Sequence, residues 1–175
     1  MEASDQQEIN LPNKIEIIPN YVDEEFENEI INLIPERKAS GGERNQILRW
    51  GANRPYNDHI VSGKIPDIFN QFKNQFEFDS VTINEYYSNQ SIDWHIDHPL
   101  DLKEIIIISL LSDAELQFRK NKEKIGYDKL GFNIPRFSLT KFSEELRYDW
   151  QHYLKAKEKR YSIVFRNSKN LKDGI

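Results

Sequence analysis

The chain has 175 residues, 38% of them hydrophobic and 30% charged, which suits one compact domain with a shielded interior and excludes a disordered polyampholyte. It contains no cysteine, so disulfides, zinc–thiolate sites, iron–sulfur clusters and a cysteine nucleophile are excluded, and a bound metal must use imidazole, carboxylate or water, which favours iron, manganese or zinc. The net charge of −5 disfavours a generic tight binder of phosphate backbones, and the acidic start and short apolar runs predict a soluble intracellular protein, cytoplasmic or nuclear, with no membrane association.

Residues 1–14 are polar and aperiodic and read as a flexible arm, and residues 169–175 as a tail. After Pro19 a helix is expected: Asp23 can cap it, Glu24 and Glu25 suit its positive end, and Phe26, Ile30, Leu33 and Ile34 share a face before Pro35 stops it. Residues 36–64 read as short strands and loops, and a second amphipathic helix is expected over 66–76, where Ile68, Phe72 and Phe76 recur every four residues. Beyond residue 79 the period changes, and strands are predicted at 81–87, 92–97, 104–111, 115–119, 137–142 and 160–166. Two helices followed by many strands, without βα alternation, imply an α+β protein with a jelly-roll or barrel-like sheet sandwich and the helices on one side. Two basic groups, Arg44, Arg49 and Arg54, then Arg119, Lys120, Lys122 and Lys124, read as solvated loops unless they rim a site.

In Trp94-His95-Ile96-Asp97 the two potential ligands are two residues apart, so on a strand both leave one face and can share an ion. That pair alone is a weak signal. His98 leaves the opposite face, His59 lies in a polar loop, and His152 is the better third donor, closing a two-His, one-carboxylate site of the kind non-haem Fe(II) oxygenases use. Arg160 and Arg166 are an even number of residues apart on one strand, and a guanidinium inside a sheet requires an anion, which a dicarboxylate co-substrate supplies. Asn84 and Tyr86 likewise share a face, suited to an oxyanion or keto acid. The ordered set carries more weight than any of its parts.

These stretches, 82–86, 90–97, 147–152 and 160–166, closely resemble the AlkB family of Fe(II)/2-oxoglutarate dioxygenases over roughly residues 15–168, and look most like the branch that hydroxylates modified wobble uridines of tRNA. The resemblance implies a double-stranded β-helix with Fe(II), 2-oxoglutarate and O2 as cofactors. It assigns His95, Asp97 and His152 to iron, Arg160 to the distal carboxylate of 2-oxoglutarate, Asn84 and Tyr86 to hydrogen bonds with that co-substrate, and Arg166 to a second arginine near metal and substrate. The implied reaction hydroxylates a C–H bond or oxidatively demethylates a modified base in RNA or DNA, as in tRNA modification or DNA repair. A protein substrate is the alternative, and a monomer is expected. On the substrate side Arg49, Trp50 and Tyr56 are expected to meet a flanking phosphate or stack on a base. The chain departs from the family where Glu144-Glu145-Leu146 and Leu111 stand in place of glycine-containing turns.

Overall fold

The fold is known from a computed structural model, which describes residues 14–35, 42, 45–51, 63–98, 103–122 and 126–167. In chain order the elements are β1 (Ile15–Ile18), α1 (Glu24–Leu33), β2 (Gln46–Gly51), a 3-10 helix (Asp67–Phe72), β3 (Ser80–Tyr86), β4 (Ser91–His95), β5 (Ile105–Leu110), β6 (Ala114–Lys122), β7 (Gly126–Ile134), β8 (Leu139–Phe142), α2 (Glu144–Tyr148), β9 (Gln151–Lys155) and β10 (Arg160–Arg166). The strands form a six-stranded sheet, ordered β1-β8-β5-β10-β3-β2, and a four-stranded sheet, ordered β4-β9-β6-β7, and the strand pairs run antiparallel. Two such sheets with helices on one side make the expected jelly roll. No helix among the described residues is long and apolar enough to cross a membrane.

Strand parity sorts the larger sheet into two faces. Val81, Ile83, Ile106, Ile108, Ile163 and Phe165 point to the helical side and pack with Phe26, Ile30, Phe69 and Phe72. Tyr86, Ile105, Ile107 and Val164, one residue out of phase, point between the sheets and meet Leu116, Phe118 and Leu154 of the smaller one. The core is therefore double, and the inter-sheet half encloses the polar residues discussed below.

α1 forms as its sequence dictates: the Asp23 carboxylate accepts from the Phe26 amide (2.9 Å), and Phe26 and Ile30 are buried. The second helix is a 3-10 turn and not the expected α-helix. Phe69 and Phe72, three apart, are the residues it buries, and the three-residue repeat of a 3-10 helix sets one directly above the other. Both lie edge-on to Phe165. The basic stretch at Arg119 and Lys120 belongs to β6 and not to a loop. Strands β1, β7 and β9 and helix α2 are additions to the sequence reading. Gly51 ends β2 at φ +93°, where a Cβ would lie 2.2 Å from the Asp79 carbonyl, so the close approach of β2 to the β3 entry requires glycine.

Candidate metal centre

The strand carrying His95 is not regular. Ser91 and Ile92 pair with Lys155 and Leu154, but His95 pairs with His152, so one extra residue sits in β4 as a bulge. A regular strand would send residues 92 and 95 to opposite faces; the bulge at Asp93–Trp94 turns both inward. Trp94 is left outside, stacked on Tyr153 (5.1 Å between centroids) with the Arg119 guanidinium 4.4 Å from its ring. The bulge also brings the Asp93 carbonyl to 2.6 Å from Nδ1 of His95. A carbonyl can only accept, so the proton resides on Nδ1 and Nε2 keeps its lone pair for a metal.

His95, Asp97 and His152 converge, their donor atoms lying within 4.8 Å of one another. Asp97 Oδ1 is 3.3 Å from Nε2 of His95 and 3.4 Å from Nε2 of His152. The expected geometry needs one correction: β4 ends at His95, so Asp97 reaches the cluster from the extended segment after the strand and not by strand alternation. Its other oxygen, Oδ2, accepts from Arg166 Nε at 2.6 Å. Burial alone would raise the Asp97 carboxyl, but the charge of the adjoining Arg166 guanidinium outweighs it and holds the group well below the usual carboxylate range. Burial, and then the neighbouring His95, push His152 down to about 3 against the pull of Asp97, so its imidazole is neutral. Two imidazoles and one carboxylate form the donor set that Fe(II) takes.

Beyond the cluster lies a narrow inter-sheet cavity lined by Asn84, Tyr86, His152, Ser162 and Arg166 among apolar residues of β5, β6 and β9. Behind Ser162 of its lining, Arg160 is 0% exposed. Its Nη2 donates to the hydroxyls of Ser109 (3.0 Å) and Ser162 (2.9 Å), while Nε and Nη1 have no partner among the described residues. Burial brings this guanidinium down to about 10 against the pull of Tyr86 and Asp113, so it remains charged at neutral pH, and no carboxylate hydrogen-bonds to it among the described residues. A buried cation lacking an anion is an expensive arrangement unless a ligand supplies one, and a carboxylate of 2-oxoglutarate fits. Tyr86 stands directly across from Arg160 in the β3–β10 register, and Asn84 across from Ser162. Asn45 Nδ2 donates to the Asn84 carbonyl oxygen (2.8 Å), which leaves the Asn84 amide N–H groups for the cavity.

His95, Asn84, Ile92 and Arg166 also line an open cleft of about 340 Å³, with Ile47, Arg49, Thr82, Ile96, Asp97 and His98 as its other walls. Arg49 lines it, its Nε donating to the Thr82 hydroxyl (3.0 Å), which also accepts from Arg166 Nη1 (3.3 Å). Trp50 does not. Adjacent residues of β2 face opposite ways, so Trp50 joins the helical-side core, 6.3 Å from Phe69, and stacking on a substrate there is ruled out by its position. Tyr56, His59, Arg44, Arg54 and Lys124 lie outside the described residues. Sequence reasoning missed Asn45, Thr82, Ser109 and Ser162; Ser162, two residues from Arg160, and Thr82, two residues from Asn84, carried a parity signal that pointed here.

The arrangement of these two sheets around the His-Asp-His cluster can be compared with solved structures. It matches the structure of OsALKBH1 with a TM-score of 0.63 at 15% identity, over 88% of this chain and 98% of that one. It also matches an oxidoreductase of the 2OG-Fe(II) oxygenase family from Burkholderia pseudomallei, with a TM-score of 0.60 at 15% identity, over 87% of this chain and 83% of the other. The fold is that of the AlkB-like 2-oxoglutarate/Fe(II) oxygenases. In sequence, the chain is 24% identical over 180 residues to the alkylated DNA repair protein ALKBH8 homolog of Arabidopsis thaliana, covering 84% of this chain and 52% of that protein. It thus spans about half the length of that curated relative. No protein-family model matches it. The donor set and the cavity described above fit Fe(II), 2-oxoglutarate and O2.

Proposed function

We propose that the protein is an Fe(II)- and 2-oxoglutarate-dependent dioxygenase that hydroxylates or oxidatively demethylates a modified nucleobase of RNA or DNA. The observation that carries this reading is a cavity lined by His95 and His152 of the metal-type cluster and by Ser162, behind which the buried guanidinium of Arg160 has no hydrogen-bonded carboxylate among the described residues. Bound Fe(II), with 2-oxoglutarate and O2, supplies the chemistry: the co-substrate becomes succinate and CO2 while one oxygen atom enters a substrate C–H bond.

The chain's own groups have separable tasks. His95, Asp97 and His152 would hold the metal, and Arg166, fixed on Oδ2, keeps Asp97 presenting Oδ1 to it. Arg160, with Ser109 and Ser162 beside it, would take the far carboxylate of the co-substrate, and Tyr86 and Asn84 would hydrogen-bond along it. The dry walls of Ile105, Ile107, Leu116 and Val164 exclude water and strengthen those charge-assisted bonds. The substrate would enter the cleft, where Asp97 is the only carboxylate on the walls described and Arg49 and Arg166 are both cationic. That local excess of positive charge, in a chain of net charge −5, favours an anionic substrate over an ordinary protein surface. A base would have to be unpaired or flipped to reach it.

The test is nucleoside mass spectrometry of total RNA and of alkylated DNA, before and after incubation with the enzyme, Fe(II) and 2-oxoglutarate. The expected result is loss of one modified nucleoside, or its gain of one oxygen, with matching succinate. Succinate formation stimulated by a protein fraction and by no nucleic acid would replace the base with a protein substrate.

A further inference from the structure

Asp97 lies two residues beyond the last paired residue of β4, so ladder hydrogen bonds do not fix its backbone. Arg166 fixes its side chain. The backbone is held from elsewhere: Arg147, on α2, donates from Nη1 to the Asp97 carbonyl (3.1 Å) and from Nη2 to the His98 carbonyl (2.7 Å). Its residue is 1% exposed and its guanidinium also lies 4.6 Å from the Tyr148 ring. Arg147 stands five residues before His152, and the chain passes directly from α2 into β9. One guanidinium fork therefore ties the segment carrying the carboxylate to the segment that delivers the second imidazole. The two reach the cluster from different parts of the chain and would otherwise be related through the His95–His152 strand pairing alone.

We infer that Arg147 is a positioning residue that sets the spacing of Asp97 and His152, acting through the backbone of residues 97 and 98 and not by contact with metal or substrate. The planar fork matters, because two carbonyls one residue apart are matched by two N–H groups held at a fixed angle, which a lysine ammonium does not reproduce. Partners that orient metal ligands from behind typically govern affinity by roughly 10–100-fold.

This inference rests on the reading of the cluster as a metal centre, and the test separates the two. Calorimetric titration of Fe(II) or Co(II) under anaerobic conditions is compared for wild type, Arg147→Lys and Arg147→Gln, with the Co(II) absorption spectrum as the signature of ligand geometry. Both variants should bind metal roughly 10–100-fold more weakly, with an altered Co(II) spectrum. Glu27→Gln, which loosens a distant ion pair, should lower Tm without changing either readout. Wild-type affinity and spectrum in a folded Arg147→Lys variant would overturn the inference alone, as would an equal loss of affinity in Glu27→Gln. Absence of metal binding by wild type would overturn the metal-centre reading itself. Should neither Arg147 variant fold, NMR of the wild-type arginine side chains decides the matter. The Arg147 N–H signals should exchange slowly with water and shift when Zn(II) is added; rapid exchange and no shift would contradict the inference.

Discussion

Arg160 is the side chain whose surroundings make least sense without a ligand, since two serine hydroxyls are all that its enclosed guanidinium touches among the described residues. Arg160→Ala should raise the KM for 2-oxoglutarate ten-fold or more, in line with the ~1.5–3 kcal/mol of a hydrogen bond to a charged group, while metal affinity stays unchanged. Thermal shift gives an independent check: 2-oxoglutarate at about 100 times its Kd should stabilise metal-loaded wild type by ~2.7 kcal/mol and the variant far less. Arg49 and Trp50 separate in the same spirit, because their side chains leave β2 on opposite faces. Arg49→Ala should weaken oligonucleotide turnover with little change in Tm. Trp50→Ala should do the reverse, costing about 2 kcal/mol or more of stability through the cavity it leaves beside Phe69. Equal effects of both on turnover alone would contradict the face assignment.

At the level of elements, the departures at Leu111 and Glu144 have a physical meaning. Leu111 has φ 72° and Glu144 φ 46°, the left-handed region where glycine is the unstrained choice, and glycine is the residue the resembling family has at such turns. Leu111 is held there by its amide, which donates to Glu27 Oε2 (2.7 Å). The same buried carboxylate accepts from Arg136 Nε (3.0 Å) and Nη2, joining α1 to the turns after β5 and β7. Glu144→Gly, which relieves the left-handed φ and gives up the exposed contact with Lys14 and one acidic group in the first turn of α2, should raise stability by about 0.5–1 kcal/mol in urea unfolding. Glu27→Ala should lower it by roughly 1–3 kcal/mol, because the Leu111 amide, held at a strained φ, loses its buried acceptor, while the partly exposed Arg136 can turn to water. The local rules that made α1 legible, an Asp cap and a 3.6-residue apolar stripe, were those its sequence displays. β7 was not legible, since its stretch 126–134 opens with Gly, Tyr, Asp and Lys and has no clean alternation. α2 has five residues, too few for any period. At the site, His95, Asp97, His152 and Arg160 were readable by type and order, whereas the bulge that turns His95 inward follows from pairing with β9, which no local pattern encodes.

For the whole molecule, a chain of net charge −5 presents a cleft with two guanidinium groups and one carboxylate on its described walls. Few phosphate contacts are then available, so turnover of an oligonucleotide should fall only moderately as salt rises, and Arg49→Ala should flatten the slope. A steep slope, unchanged by Arg49→Ala, would place the main phosphate contacts elsewhere. All of these expectations depend on one arrangement, in which the two sheets hold a metal cluster and a cation-lined cavity side by side. Anaerobic calorimetry of 2-oxoglutarate binding, with and without Fe(II), in wild type and His152→Ala, tests it most directly. The account expects one Fe(II) per chain, tight 2-oxoglutarate binding only when the metal is present, and loss of both in His152→Ala. Tight 2-oxoglutarate binding that ignores the metal, or undiminished Fe(II) binding by His152→Ala, would contradict it.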